Sequence, residues 1–139
     1  MTGILELLLP YTGYLALVLR VLVGASFIVH ARPKMGPGMV QTVQWVQSMG
    51  IPSVAAYSAA TLELLGGVFL IVGLLVPVVA LFFALFMAAN IVMKKTKMHE
   101  GYISQGKPSY EVDVLYLGLS LVLLVLGAGA LSLDGALGF

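Results

Sequence analysis

Five ionisable side chains lie in or at the edges of long apolar segments, and their types and positions could support chemistry. They are Arg20, His30, Glu63, Glu111 and Asp113. A charge at the centre of a bilayer costs at least about 2.5–3.5 kcal/mol, so such residues tend to be paired, to face inward and to serve a function. Only 9% of the residues are charged. Placing charge in apolar segments therefore predicts a polar site inside a bundle of membrane helices.

The composition excludes an ordinary soluble domain, in which about 25% of the residues are charged. The chain has 139 residues, 60% of them hydrophobic, which predicts a single integral membrane domain over residues 1–139. The net charge of +1 gives no indication of nucleic-acid binding. The chain has no cysteine, which excludes disulfides, thiolate metal sites and cysteine nucleophiles. Because His30 is the only histidine near an apolar run, we expect no self-contained bis-histidine haem. A metal site on His30, Glu63 and Asp113 would have no spacing signature, and we expect none.

Four apolar runs each have about the 17–25 residues that a transmembrane helix needs. They are Tyr11–Ala31, Ser53–Val76, Pro77–Met93 and Val112–Leu131. Between the first two runs, Val40, Val43 and Val46 recur at a spacing of three beside Trp45, which predicts a short helix lying in the membrane interface. The sequence therefore predicts an all-α, integral membrane four-helix bundle with an interfacial helix between spans one and two.

The distribution of basic residues predicts the orientation in the cell membrane. Four spans place both termini on one side and both long connections on the other. The basic residues of the connections are Arg32, Lys34, Lys94, Lys95, Lys97 and Lys107. The positive-inside rule then puts the connections in the cytoplasm and the termini outside. Basic residues gathered to bind an anion would produce the same asymmetry.

The depths of two opposite charges predict that they are partners. Arg20 lies eleven residues from the connection-side end of span one, and Glu63 lies ten residues from the connection-side start of span two. At a rise of 1.5 Å per residue, both would be about 15–16 Å deep. We therefore expect an Arg20–Glu63 salt bridge. An ion pair that only holds the helices together, without a functional role, explains the pattern equally well.

Further polar residues lie nearer the connection side of the predicted bundle. Together with Arg20 and Glu63, they predict a polar funnel that leads from the connection side to the middle of the membrane. They are His30, which closes span one, Asn90 in span three, and Glu111 and Asp113, which open span four. A favourable charge at a helix N-terminus is an equally good explanation of Glu111.

Three short motifs resemble the DoxX family, and in order they cover nearly the whole chain. They are Leu19–Gly24 followed by Phe27–His30 and Lys34, Glu63–Gly67 followed by Val72–Leu74, and Gly127–Gly129 followed by Leu131–Asp134. The resemblance implies a four-helix membrane protein of respiratory character. Members of the family include the large subunit of thiosulfate:quinone oxidoreductase.

By this resemblance, the chain is expected to oxidise a small reduced sulfur anion such as thiosulfate and to pass electrons to quinone. Such chemistry would be direct or would use the redox centre of a partner subunit. The residues expected to bind the anionic substrate are Arg20, His30, Lys34, Asn90 and Glu111, with arginine offering a bidentate fork. Glu63 or Asp113 would deliver protons to the quinone, because burial favours the protonated form of a carboxyl group.

Two other functions remain open at this point. The same polar funnel would suit a small-solute carrier or channel, although four spans are few for a transporter that does not dimerise. The basic connections would suit a non-catalytic membrane anchor of a respiratory complex, with the connections as its docking surface. The sequence does not distinguish a homodimer from a complex with a partner subunit.

Overall fold

The computed structural model describes residues 2–103, 106 and 108–138, and it consists almost entirely of helices. In chain order these are α1 (Thr2–Leu8), α2 (Thr12–Ala31), α3 (Gly38–Ser48), α4 (Val54–Val72), α5 (Val76–Thr96), α6 (Glu111–Leu126) and α7 (Leu133–Leu137). Two short 3-10 turns, Leu9–Tyr11 and Arg32–Lys34, flank α2. Lys107, counted above among the basic residues, lies outside the described residues.

The predicted all-α four-helix fold is confirmed, with α2, α4, α5 and α6 as its long helices and α3 as the short helix between the first two. The ends of the helices differ from the predicted runs. Helix α4 stops at Val72 because Gly73 takes a left-handed conformation with φ 75°. Helix α6 stops at Leu126, five residues early, because Gly127 leaves the helical region with φ 73° and ψ −166°. Helix α5 continues three residues beyond its predicted end at Met93.

Three helical stretches among the described residues are long and apolar enough to cross a membrane. They are Glu6–Lys34, Val54–Val72 and Val76–Thr96. Helix α6 has 16 residues, which corresponds to about 24 Å, and it packs along α5. Large apolar side chains such as Leu22, Leu85 and Val125 are exposed on these helices, as contact with lipid requires. The chain is an all-α membrane protein, and the side on which its termini lie stays a prediction.

Glycines allow α2 and α4 to pack backbone against backbone. A Cβ atom added to Gly24 would lie 2.6 Å from the carbonyl oxygen of Gly67, and one added to Gly67 would lie 2.7 Å from that of Gly24. Real side chains do not fit at such distances, so only glycine permits this approach. Close helix contact through small residues is the usual way in which membrane helices associate. The Gly24–Gly67 contact thereby fixes the register of the two helices.

Aromatic rings fill the centre of the bundle between α2, α5 and α6. The rings of Phe27 and Phe83 are stacked, with centroids 3.8 Å apart and an angle of 3° between their planes. Gly66 makes room for this stack, because a Cβ atom there would lie 2.8 Å from the Phe83 ring. Tyr116 on α6 contacts the other side of the cluster, with its ring centroid 5.1 Å from that of Phe27. The helices are apolar on every face, and ring packing thus decides which of these faces lies in the core.

Candidate functional site

Lys34 and Glu63 form an ion pair at the connection end of the bundle. Lys34 Nζ lies 2.5 Å from Oε1 and 2.6 Å from Oε2 of Glu63, so the ammonium group bridges both carboxylate oxygens. The Glu63 side chain is only 4% exposed, whereas that of Lys34 is 26% exposed. The 3-10 turn Arg32–Lys34 carries the lysine past the end of α2. The pair therefore joins a buried carboxylate to a lysine that stays partly exposed.

A second lysine–carboxylate pair joins α5 to α6 at the same end. Lys94 Nζ lies 2.7 Å from Oδ2 of Asp113, and it also donates to the carbonyl oxygen of Ser109 at 3.2 Å. The exposure follows the same pattern, 24% for the lysine and 11% for the aspartate side chain. Lys94 belongs to the last turn of α5, where a cation also interacts favourably with the helix dipole. The α2–α4 pair and the α5–α6 pair are thus each joined by one buried carboxylate and one partly exposed lysine.

The remaining polar residues predicted at this end are more accessible. His30 is exposed in the last turn of α2, and its ring meets the Tyr116 ring edge-on with centroids 5.9 Å apart. Asn90 is half-buried on α5. Glu111 is half-buried at the first position of α6, where its charge suits the helix N-terminus. The structure thus gathers six of the seven predicted site residues at the connection end.

Arg20, the seventh predicted site residue, lies at the opposite end of the bundle. It is 2% exposed. Its Nη1 donates to the carbonyl oxygens of Leu70 at 3.1 Å and Ile71 at 2.6 Å, and its Nη2 donates to that of Leu131. Leu70 and Ile71 belong to the last turn of α4, where carbonyls lack the usual helical donor four residues further on. The backbone N–H of the C-cap residue Gly73 also donates to the Leu70 carbonyl oxygen, at 3.2 Å. Arg20 therefore caps the C-terminus of α4 and ties the C-terminal segment to it.

Asp134 adds further hydrogen bonds at this end of the bundle, which lies opposite the connection end. Its Oδ1 accepts from the backbone N–H of Leu75 at 2.7 Å and its Oδ2 from that of Val76 at 2.9 Å. These are free N–H groups at the start of α5, so an aspartate 58 residues further on acts as the cap of this helix. The Asp134 backbone N–H in turn donates to the carbonyl oxygen of Gly73 at 2.9 Å. The contacts hold the C-terminal segment against the α4–α5 turn.

The predicted Arg20–Glu63 salt bridge is wrong, and the register of α2 and α4 explains why. The depth estimate assumed that the end of span one and the start of span two lie at the same level. In the structure Gly24 meets Gly67, so Ser53, the predicted start of span two, lies about seven residues, or about 10 Å, beyond the end of α2. This offset brings Arg20 to the last turn of α4 and brings Glu63 within reach of Lys34.

Three residues that complete these clusters escaped the sequence analysis. Lys94 was assigned to the connection because the predicted span ended at Met93, whereas in the structure it belongs to the last turn of α5. Tyr116 lies in an apolar run and carries no charge, so no pattern singled it out. Asp134 entered the sequence analysis only as the last residue of the third family motif, and its capping role depends on a fold-back that residue spacing does not reveal.

Residues 15–95, from α2 to the last turn of α5, match the DoxX family. The chain belongs to the DoxX family. It is also similar to a protein of Bacillus subtilis (strain 168) named "Putative oxidoreductase CatD", with 37% identity over 118 residues that cover 85% of this chain and 83% of that protein. No solved structure matches the chain. The DoxX match includes both residues of the Lys34–Glu63 pair, whereas Asp113 lies beyond it.

Proposed function

We propose that this DoxX protein is a membrane oxidoreductase that takes electrons from a small reduced sulfur anion such as thiosulfate and passes them to quinone. The Lys34–Glu63 pair carries the proposal, since it combines an accessible cation with a buried carboxyl group. The similarity to a protein named as an oxidoreductase supports the general class of reaction. The sulfur anion and the quinone come from the resemblance of the sequence to its family.

The reaction requires an anion site and a proton donor. Two thiosulfate ions join through a new sulfur–sulfur bond to give tetrathionate and release two electrons. A quinone takes up these two electrons together with two protons and becomes a quinol. The protein must therefore attract a dianion from water and supply protons to a ring that stays in the membrane. Lys34 suits the first task, and Glu63 suits the second.

In the proposed mechanism, anion binding and proton uptake are coupled through Lys34. An arriving dianion competes with Glu63 for the ammonium group, which is partly exposed and can turn towards water. With Lys34 drawn towards the anion, Glu63 is the side chain that would carry a proton to the quinone as the electrons arrive.

The other polar residues of the connection end have supporting parts in this proposal. His30, Asn90 and Glu111 lie at the accessible end of the bundle and would line the path of the anion. Asp113, held by Lys94, is the alternative proton donor. The Arg20 guanidinium donates to backbone carbonyl oxygens. We therefore assign Arg20 a structural role in place of the anion-binding role expected from the sequence.

The test is quinone reduction by the purified protein in liposomes, with thiosulfate, sulfite and sulfide offered as donors. We expect turnover with at least one donor, and we expect Glu63→Gln to slow it about 100-fold or more, because proton transfer by a positioned group contributes that much. Glu6→Gln makes the same change at an exposed position on α1 and serves as the matched control.

The kinetic constants separate the two proposed tasks. Lys34→Met should raise KM for the anion, and high salt should reduce the difference from wild type because it screens an accessible charge. Turnover of Glu63→Gln equal to that of wild type, in a well-folded preparation, would refute the assignment of Glu63. No turnover with any of the donors would favour the membrane anchor.

A further inference from the structure

The exposed charges at the connection end are all positive in the part of the chain that the structure describes. Lys34 and Lys94 are paired with buried carboxylates. The exposed cations, which form a basic rim and take part in no salt bridge between described residues, are Arg32, Lys95 and Lys97. The acidic residues of this end, all buried or half-buried, are Glu63, Glu100, Glu111 and Asp113. The connection end therefore presents cations to its surroundings and keeps its carboxylates inside.

The basic rim lies at the ends of helices that are long enough to cross the membrane. Arg32 is the C-cap of α2, Lys95 belongs to the last turn of α5, and Lys97 is the C-cap of α5. Because the apolar stretches end at this level, the rim lies at the depth of the lipid head groups. The long side chains of lysine and arginine can extend from there to the phosphate groups.

Aromatic side chains are exposed beside the basic rim on both connections. Trp45 is 44% exposed on α3, which packs against the 3-10 turn Arg32–Lys34. Tyr102 is 47% exposed in the second connection. This connection folds back on the end of α5, where the backbone N–H of Glu100 donates to the carbonyl oxygen of Lys94 at 3.1 Å. Tryptophan and tyrosine beside cations are typical of the interface between membrane and water.

We infer that the connection end binds anionic phospholipids, whose phosphate groups pair with the basic rim while Trp45 and Tyr102 lie among the lipids at the interface. Such lipids supply the negative charge that the acidic residues of this end do not expose. Because the rim lies at the ends of the spans, lipid head groups surround it in any membrane. A soluble acidic protein would first have to displace them, so the position of the rim favours the lipid.

The experiment uses the single tryptophan of the chain, Trp45, as its reporter. The full chain is reconstituted in liposomes that contain dibrominated phosphatidylglycerol or dibrominated phosphatidylcholine, whose bromine atoms quench tryptophan fluorescence on contact. At low salt we expect the phosphatidylglycerol to associate about fivefold or more tightly than the phosphatidylcholine, the effect of one nearby cation. The preference should disappear in about 1 M salt, where charges are screened beyond about 3 Å.

Charge variants locate the preference on the basic rim. Arg32→Gln should lower the preference for phosphatidylglycerol at Trp45 by about fivefold. Ala136→Glu changes the net charge by the same amount at an exposed position on α7, at the opposite end of the bundle. Because this position is separated from Trp45 by the length of the helices, Ala136→Glu should leave the preference unchanged.

A second reporter examines the other connection. Trp45→Phe combined with Tyr102→Trp moves the single tryptophan to the end of α5. At this position, Lys95→Gln together with Lys97→Gln should remove the preference for phosphatidylglycerol, because both cations of the rim at α5 are then neutral. A preference that persists in this variant would overturn the pairing of these lysines with phosphate.

Equal quenching by the two brominated lipids at low salt would overturn the inference and would leave the cations a role in membrane orientation alone. A preference that persists in high salt, or in Arg32→Gln at Trp45, would overturn the electrostatic pairing. No quenching by either lipid would also overturn it, because Trp45 would then lie in water, where a soluble partner could reach it. None of these measurements depends on turnover, so the result is independent of the proposed function.

Discussion

Breaking the Lys34–Glu63 pair from either side should have unequal effects on stability. Lys34→Met leaves a carboxylate that is 4% exposed without its cation, whereas Glu63→Gln leaves a lysine that is 26% exposed. Removing one partner of a buried pair costs about 3–5 kcal/mol when the other stays charged and buried. The lysine can turn towards water, so Glu63→Gln should cost only about 1–2 kcal/mol, the value of its lost hydrogen bonds.

For Lys34→Met we therefore expect a loss of about 3–5 kcal/mol, because the buried carboxylate of Glu63 stays without its cation. The double variant carries neither charge and should recover about 2 kcal/mol relative to Lys34→Met.

The assay is reversible unfolding in mixed micelles of increasing SDS content, followed by circular dichroism, for the wild type, both single variants and the double variant. Lys95→Met, at an exposed position next to the second lysine–carboxylate pair, controls for the substitution itself. Strictly additive effects in the double variant would refute the reasoning, since they would mean that the two side chains do not interact energetically. Equal losses in the two single variants would refute the argument from unequal burial.

Three further expectations concern the architecture. Arg20→Lys keeps the charge but loses the guanidinium fork that reaches three carbonyl oxygens; we expect a loss of about 3 kcal/mol or more in the same unfolding assay, and unchanged stability would contradict the capping role. Gly67→Ala should destabilise the bundle by at least about 1–3 kcal/mol, because its Cβ would lie 2.7 Å from a carbonyl oxygen of α2. Gly118→Ala, where a Cβ meets nothing within 4 Å, should leave stability unchanged or raise it by up to about 1 kcal/mol. Single cysteines at Gly138 and Lys95 should be labelled by an impermeant reagent from opposite faces of the membrane, and labelling from the same face would contradict the four-span topology.

The helices could be predicted from the sequence because each depends on local composition. A run of about 20 mostly apolar residues can pair its own backbone groups in lipid only as a helix. The four runs therefore gave four helices with errors of a few residues at their ends. Those errors occurred where the end is decided by single residues, as at Gly127, whose positive φ stops α6 inside an apolar run.

The location of the polar site could be predicted in part for the same reason. His30, Lys34, Glu111 and Asp113 lie near the ends of apolar runs, and the alternation of an antiparallel bundle brings those ends together. Which carboxylate meets which cation could not be predicted, because that depends on how far one helix slides along its neighbour. Because the helices are apolar on every face, the sequence does not determine how far one helix is shifted along its neighbour.

The sequence alone thus determined a helical membrane bundle with most of its charge at the connection end, because the cost of burying charge and backbone in lipid applies to every residue locally. The tertiary structure alone decided the partners. The close contact of Gly24 with Gly67 sets the offset between α2 and α4, and an offset of about 10 Å is enough to give Glu63 to Lys34 and to leave Arg20 among backbone carbonyls. The physical reason is that an ion pair or a hydrogen bond acts over about 3 Å, a distance that helix packing fixes and residue spacing does not.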